Sequence, residues 1–218
     1  MLALPPVVEL RQYTLHPGRR DDLITLFERE FIETQEACGM RLLGTFRDMA
    51  DADRFVWLRG FAGMPQRAEA LGAFYGGPVW QAHRDAANGT MIDSDDVLLL
   101  RPCVPVPEAP PVRGTSRVIG VVCPLHAPAD DALRRHLGTV LLPALVNSGA
   151  TPLGVFETEP AENTFPRLPV REGEHVVCWF ASVPDTRPTV DAGALLDGWL
   201  QDLPRTLQLQ PTPRSAWR

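Results

Sequence analysis

The sequence predicts an α+β chain built from two tandem βαββαβ units of the ferredoxin-like kind, and three observations carry that prediction. Residues 7–27, VVELRQYTLHPGRRDDLITLF, hold an alternating strand, a turn and the start of an amphipathic helix. A degenerate copy returns about a hundred residues later, with His126-Ala127-Pro128 echoing His16-Pro17-Gly18 and Asp130-Asp131-Ala132-Leu133 echoing Asp21-Asp22-Leu23. Between the copies, residues 101–114 (RPCVPVPEAPPVRG) hold five prolines and no periodicity, which marks an extended, semi-rigid connector. The units so bounded are 1–103 and 115–218, with the linker at 104–114.

In the first unit, residues 7–15 alternate, Val7, Glu9, Arg11, Tyr13 and Leu15 on one face and Val8, Leu10, Gln12 and Thr14 on the other. Pro17 and Gly18 end the strand, because proline has no ladder donor and glycine permits the reversal. Asp21 and Asp22 suit a first helical turn, and Leu23, Leu26, Phe27 and Phe31 make the apolar stripe of a helix that Gly39 caps. Residues 40–47 are a second strand, the DMADAD stretch at 48–53 a polar turn, and residues 54–61 a third strand with Phe55, Trp57, Arg59 and Phe61 on one side. The split pattern is expected to lay the first and third strands side by side in parallel, with Arg11 and Arg59 on neighbouring strands. Pro65 opens a short helix, Gly76-Gly77 interrupts it and Pro78 restarts it. Trp80, His83, Arg84 and Ala87 then share one stripe of the second piece. Residues 93–96 read as an acidic loop and 97–101 as the fourth strand.

The second unit repeats the order. Residues 117–125 are a strand, and Leu133, Leu137, Val140, Leu141 and Ala144 form a helical stripe that Pro143 is expected to kink or end. Strands follow at 152–159 and 175–183, joined by an irregular insert at 160–174. A short helix over 191–202, with Leu195, Leu196 and Trp199 inward, and a strand at 206–210 close the unit.

Composition excludes several classes. Net charge is -6 without a dense basic cluster, so nucleic acid is not an expected partner. All 21 basic residues are arginine, which rules out Schiff-base chemistry and a Walker-type phosphate lysine on this chain. No stretch approaches the roughly 20 apolar residues of a membrane span and the first ten residues lack an export signal, so the expectation is a cytoplasmic protein with no membrane partner. The four cysteines lie far apart with no C-x-x-C pair and are expected to be buried free thiols. Asp93, Asp95 and Asp96 read as caps and turns rather than metal ligands, and no metal is expected.

ELRQYTLHPG near the start, FVWLRGF on the third strand, PVWQAHRDAANGTM on the second helix and DDVLLLRP at the closing strand make residues 7–102 resemble the NIPSNAP family. The second unit shares only the order of elements and a few echoes. The resemblance implies a dimeric α/β-barrel architecture, in which two four-stranded sheets face each other. That group includes cofactor-independent monooxygenases, haem-handling proteins and isomerases. The two halves would close one barrel within the chain, or each would pair across a homo-oligomer, because an uncovered apolar sheet face is an aggregation surface.

Candidate site residues follow from chemistry. Arg11 is either a guanidinium that holds a carboxylate or enolate with help from Tyr13, or one half of a buried pair with Glu9. Arg59, between Trp57 and Phe61, is a stacked structural arginine or a ligand anchor. His83 is the acid/base candidate, since imidazole titrates near neutrality. Catalytic roles are therefore expected of His83, Arg59 and Arg11, and substrate contacts of Glu9, Tyr13, Trp57, Trp80 and Arg84. The expected function is cofactor-independent oxygenation or isomerisation of an acidic or enolisable small molecule in a cavity between sheet and helices. The alternatives are a carrier of haem, with His83 as axial ligand, or of another hydrophobic ligand, and an oligomeric scaffold with a filled core.

Overall fold

A computed structural model describes residues 3–107, 116–184 and 190–218. Eight strands carry the architecture: β1 Val7–Leu15, β2 Arg41–Asp48, β3 Arg54–Phe61, β4 Met91–Val104, β5 Ser116–Pro124, β6 Thr151–Thr158, β7 Val176–Pro184 and β8 Arg205–Pro211. They pair antiparallel throughout, in the cyclic order β1-β3-β2-β8-β5-β7-β6-β4, and so form one closed barrel. The neighbours β1 and β3 are antiparallel rather than parallel, because β3 returns from β2 as a hairpin and inserts between β1 and β2. Both halves contribute four strands, so the uncovered sheet face that the sequence suggested is covered within the chain, by its other half.

The period-two alternation of the strands separates an inner core from two outer ones. Val8 and Leu10 of β1, Val56 and Leu58 of β3, Phe46 of β2, Phe156 of β6, Phe180 of β7 and Leu209 of β8 fill the barrel. Val7, Tyr13, Leu15, Phe55, Trp57 and Phe61 face outward, beneath the helices of the first half. These helices are α1 Arg20–Leu26 and α2 Ile32–Ala37, joined by a π-helical turn at Phe27–Phe31, with α3 Met64–Gly76 and α4 Pro78–Asn88. In the second half, α5 Asp131–His136 and α6 Leu142–Asn147 are joined by a π-helical turn at Leu137–Leu141, and α7 Ala192–Leu195 is a single turn. The wide turn occurs in both halves, although only the second has a proline there. Pro143 sits in the first turn of α6, directly after that π-helical turn, where its missing N–H costs no regular α-helical bond. Val140 is exposed, and the inward stripe is Leu133, Leu137, Leu141, Leu142 and Leu145.

Further corrections concern the acidic stretch and the connector. Residues 93–96 lie inside the 14-residue β4, where Asp93 and Asp96 pair with Thr14 and Gln12 of β1 across a register irregularity, so they are strand rather than loop. Residues 108–114 of the connector lie outside the described residues. The short α7 replaces the longer helix expected over 191–202, with Leu196 buried and Trp199 half-buried. No helix among the described residues is long and apolar enough to cross a membrane.

The repeat extends to detail. Both β2 and β6 carry an irregularity in register at a glycine, Gly44 and Gly154, displaced by 110 residues like the two π-helical turns. A Cβ on Gly154 would lie 2.5 Å from the buried Phe156 ring, and one on Gly44 would lie 2.3 Å from the Phe46 ring. These aromatic rings pack directly on the strand backbone. Gly154→Ala is expected to lower stability by about 1–3 kcal/mol through overpacking, read as a lower urea midpoint at unchanged slope.

One seam of the barrel is short. Strands β2 and β8 pair over three positions, Phe46 with Pro211, Arg47 with Gln210 and Asp48 with Leu209. Residues 212–217 extend that seam, with the Thr212 and Trp217 amides donating to the Thr45 and Leu43 carbonyls at 2.9 Å. The Ser215 hydroxyl accepts from the Thr45 amide at 3.1 Å. Trp217 enters the inner core against Phe180 and Phe156.

Candidate functional site

The outward faces of β1 and β3 build the site. Glu9 stands opposite Arg59 and Arg11 opposite Trp57 in the strand register, so these four and Tyr13 share one patch under the helices. Both candidate arginines bind the same carboxylate. Glu9 Oε2 accepts from Arg11 Nη1 at 2.9 Å and from Arg59 Nε at 2.8 Å. A third arginine, Arg67 from α3, donates through Nε to Glu9 Oε1 at 2.7 Å. Glu9, Arg11, Arg59 and Arg67 are all fully buried. Arg11 Nε also donates to the Tyr13 hydroxyl at 2.9 Å, and Arg59 Nη1 donates to Gln35 Oε1 of α2 at 2.9 Å.

Charge states follow from those contacts. Burial pushes the Glu9 carboxyl up, but Arg59, Arg11 and Arg67 more than reverse it and hold the group well below the usual carboxylate range. Glu9 is thus a fixed anion and a poor base. Burial alone would lower the Arg11 pKa, and the hydrogen bond accepted by the Tyr13 hydroxyl and the charge of Glu9 reverse that shift, so its guanidinium stays charged. Tyr13 is raised, chiefly by burial, and stays a neutral phenol that can donate its proton in a hydrogen bond.

Above the patch lies a narrow aromatic cleft of about 330 Å³ counting the space open to solvent, of which only about 30 Å³ is wide enough to take the centre of a water molecule. Its lining includes Tyr13, Trp57, Phe31, Tyr75, Trp80 and Gln35. The guanidiniums underlie these rings. The Arg59 guanidinium carbon is 5.0 Å from the Trp57 centroid and 5.9 Å from that of Tyr75, and the Arg11 carbon is 5.4 Å from that of Tyr13.

Of the residues the sequence singled out, Glu9, Arg11, Tyr13, Trp57, Arg59 and Trp80 come together. His83 and Arg84 do not. His83 is half-buried, packs on the outer side of Phe31 and faces Glu30 Oε2 at 3.6 Å. Arg84 is exposed beside Asp85. Of the helical stripe, Trp80 and Ala87 reach the cleft, while His83 and Arg84 between them do not.

Sequence reasoning missed Arg67, Gln35 and Asn163. Arg67 falls at offsets of three, four and seven from Ala70, Leu71 and Phe74, the buried stripe of α3, and that spacing was the available signal. Asn163 belongs to the insert of the second half and could not be placed from sequence. Its Oδ1 accepts from Arg67 Nη1 at 2.9 Å, while the neighbouring Phe165 stacks on Tyr75 at 6.0 Å. The second half therefore covers the site of the first.

It has no such cluster itself. At the same register offset, Glu9, Arg11, Tyr13 and Arg59 are replaced by Ile119, Val121, Cys123 and Ala181, with Trp179 in the place of Trp57. Burial pushes the Cys123 and Cys103 thiols up to about 12, so neither is a nucleophile near neutral pH. No group of three or more metal-ligating side chains lies together among the described residues. A haem does not fit the cleft, which is too narrow for the macrocycle, and His83 Nε2 faces Glu30 rather than the cleft.

Residues 8–106 match the NIPSNAP family model. A NIPSNAP-like domain protein from Burkholderia xenovorans is 28% identical over 49% of this chain and 90% of its own, with a TM-score of 0.41. Over nearly the whole length, the fold is similar to that of a monooxygenase-like protein from Lactobacillus acidophilus NCFM, at 13% identity, 98% and 97% coverage and a TM-score of 0.62. An anthrone oxidase-like protein gives 14% identity, 97% and 94% coverage and a TM-score of 0.61. No curated protein matches the chain.

Proposed function

We propose, from the premise that residues 8–106 form a NIPSNAP domain, that the first half takes a flat, apolar, enolisable molecule and stabilises its anion for oxygenation at the activated carbon. Each half is read as a ferredoxin-like unit, 1–103 and 115–218, and the two as a dimeric α/β-barrel arrangement joined in one chain. The observation that supports the reading is the floor of the cleft, where the rings of Tyr13 and Trp57 lie over two buried guanidiniums. Preorganised positive charge in a water-poor site favours a substrate anion over its neutral parent.

The chemistry balances without an electron carrier. An enolisable CH₂ loses a proton to solvent through the half-exposed rim at Tyr75, Trp80 and Met91. Its carbanion adds dioxygen to give a hydroperoxide, which loses water and leaves a carbonyl. Tyr13 donates to the substrate oxygen, Arg11 and Arg59 supply the field, and Trp57 and Trp80 exclude water. His83 has no part in this scheme. The monooxygenase-like and anthrone oxidase-like proteins of similar fold support the same class of reaction. Isomerisation through the same enolate is the outcome in which no oxygen is consumed.

Oxygen uptake with anthrone, a flat enolisable ketone, tests the reading. Tyr13→Phe is expected to lower kcat by about 100-fold while the melting temperature stays within a few degrees, because only one donor to the oxyanion is lost. An unchanged kcat would remove Tyr13 from the mechanism. Anthrone binding with neither oxygen uptake nor isomerisation would leave a carrier rather than an enzyme.

A further inference from the structure

The cluster beneath the cleft holds more positive charge than the described residues neutralise. Three fully buried guanidiniums, Arg11, Arg59 and Arg67, surround Glu9, the one carboxylate paired with them among the described residues. A buried ion without a counter-ion is costly, and two in one cluster require compensation. The unmet hydrogen bonds share one character. Arg11 Nη2, Arg59 Nη2 and Trp57 Nε1 are buried, find no acceptor among the described residues and can only donate. Arg67 Nη2 differs, since it lies 2.7 Å from Glu9 Oε1, although at an angle too poor for a hydrogen bond. The three orphaned donors gather round one ring, with the Arg59 and Arg11 guanidinium carbons 5.0 and 5.6 Å from the Trp57 centroid. That ring also lines the cleft.

We propose that these donors form an anion subsite, and that the cleft takes an aromatic ligand bearing an ionised oxygen group, a carboxylate or an enolate. Its ring lies among the cleft's aromatic side chains, and its oxygens accept from Arg11 Nη2, Arg59 Nη2 and Trp57 Nε1 once the Tyr13 and Trp57 rings move aside, since all three donors are sealed beneath the cleft floor when the site is empty. The inference rests on the reading of the cleft as a small-molecule site and adds the charge and class of the ligand. A neutral amide of the same shape offers an acceptor but no charge, so discrimination between the two falls to the guanidiniums. A second consequence concerns the empty cluster. Glu9 keeps Arg59 and Arg67 when Arg11 is removed, so Arg11→Met relieves an excess charge instead of stranding a carboxylate.

The test titrates 1-naphthoate and its neutral counterpart 1-naphthamide into the full chain by calorimetry in chloride-free buffer, with Arg11→Met alongside. Naphthoate is expected to bind about ten- to a hundredfold more tightly than the amide, and Arg11→Met to lose that preference. Ligand-free Arg11→Met is expected to melt no more than about 4 °C below the unaltered protein. Equal affinities for acid and amide, or binding of neither, overturn the proposal. So does a larger fall in melting temperature, which is the behaviour of a cluster already balanced. Anthrone oxidation is scored separately. Selective naphthoate binding without oxygen uptake upholds the subsite and removes the oxygenase reading, whereas uptake without selectivity does the reverse.

Discussion

Glu9→Gln is expected to lower the unfolding free energy by about 3–5 kcal/mol at pH 7, the largest loss from any near-isosteric change in the molecule. The amide fills the carboxylate's space, so packing changes little and the loss is electrostatic. Arg11, Arg59 and Arg67 remain buried with no anion between them. The pH dependence supplies the check. Glu9 is held well below the usual carboxylate range when folded, so its contribution is complete above that range and is lost as the pH falls. Below the ordinary value of 4.5 the unfolded chain takes up a proton at this position that the folded chain refuses. Urea unfolding at a series of pH values from neutral to about 3 should therefore show stability declining less steeply in Glu9→Gln than in the unaltered protein. Identical slopes would mean that the carboxylate is not held ionised by its neighbours.

The second large effect is at the other end of the chain. Trp217→Ala should cost about 3–5 kcal/mol, because the indole is only 6% exposed and packs against Phe156 and Phe180 inside the barrel. Deletion of residues 213–218 should cost more. It also removes the Ser215 hydroxyl bonded to the Thr45 amide and the Trp217 amide bonded to the Leu43 carbonyl, which extend the three-position seam between β2 and β8. Thermal unfolding of both variants measures the difference. A shift of less than about 4 °C for Trp217→Ala would show that the barrel's inner core is complete without its C-terminal residue cluster.

Strands and their faces were legible because period-two alternation is written locally. Val8 and Leu10 against Glu9 and Arg11, or Val56 and Leu58 against Trp57 and Arg59, declare two faces whatever lies on either side. The direction of β3 relative to β1 was misread, since it depends on the hairpin with β2 rather than on either strand's own residues. Acidic residues 93–96 were misread for the opposite reason, polar composition outweighing a strand that pairing with β1 sustains. At the site, the pairing of Glu9 with Arg11 was visible as two positions on one strand. Its extension to Arg67 and Asn163 joins residues 58 and 96 positions apart, a separation local patterning does not reach. Arg59 illustrates the consequence. From sequence it reads as either a stacked structural arginine or a ligand anchor, and because its side chain is wholly buried on Glu9 and Gln35, Arg59→Ala strikes fold and site together.

Because a single polypeptide supplies all eight staves, ring closure is a first-order event. Two separate copies would have to find each other at their cellular abundance and would come apart on dilution, whereas tethered halves meet at a local concentration fixed by the tether. The covalent link also breaks symmetry. Gene-encoded copies of one protomer would repeat every substitution, but here Ile119 and Val121 stand where the other half has Glu9 and Arg11, and the freed half contributes Asn163 and Phe165 as a roof. Each molecule consequently carries one charged chamber and one dry buttress, so the proposed reading of the cleft predicts one ligand per barrel.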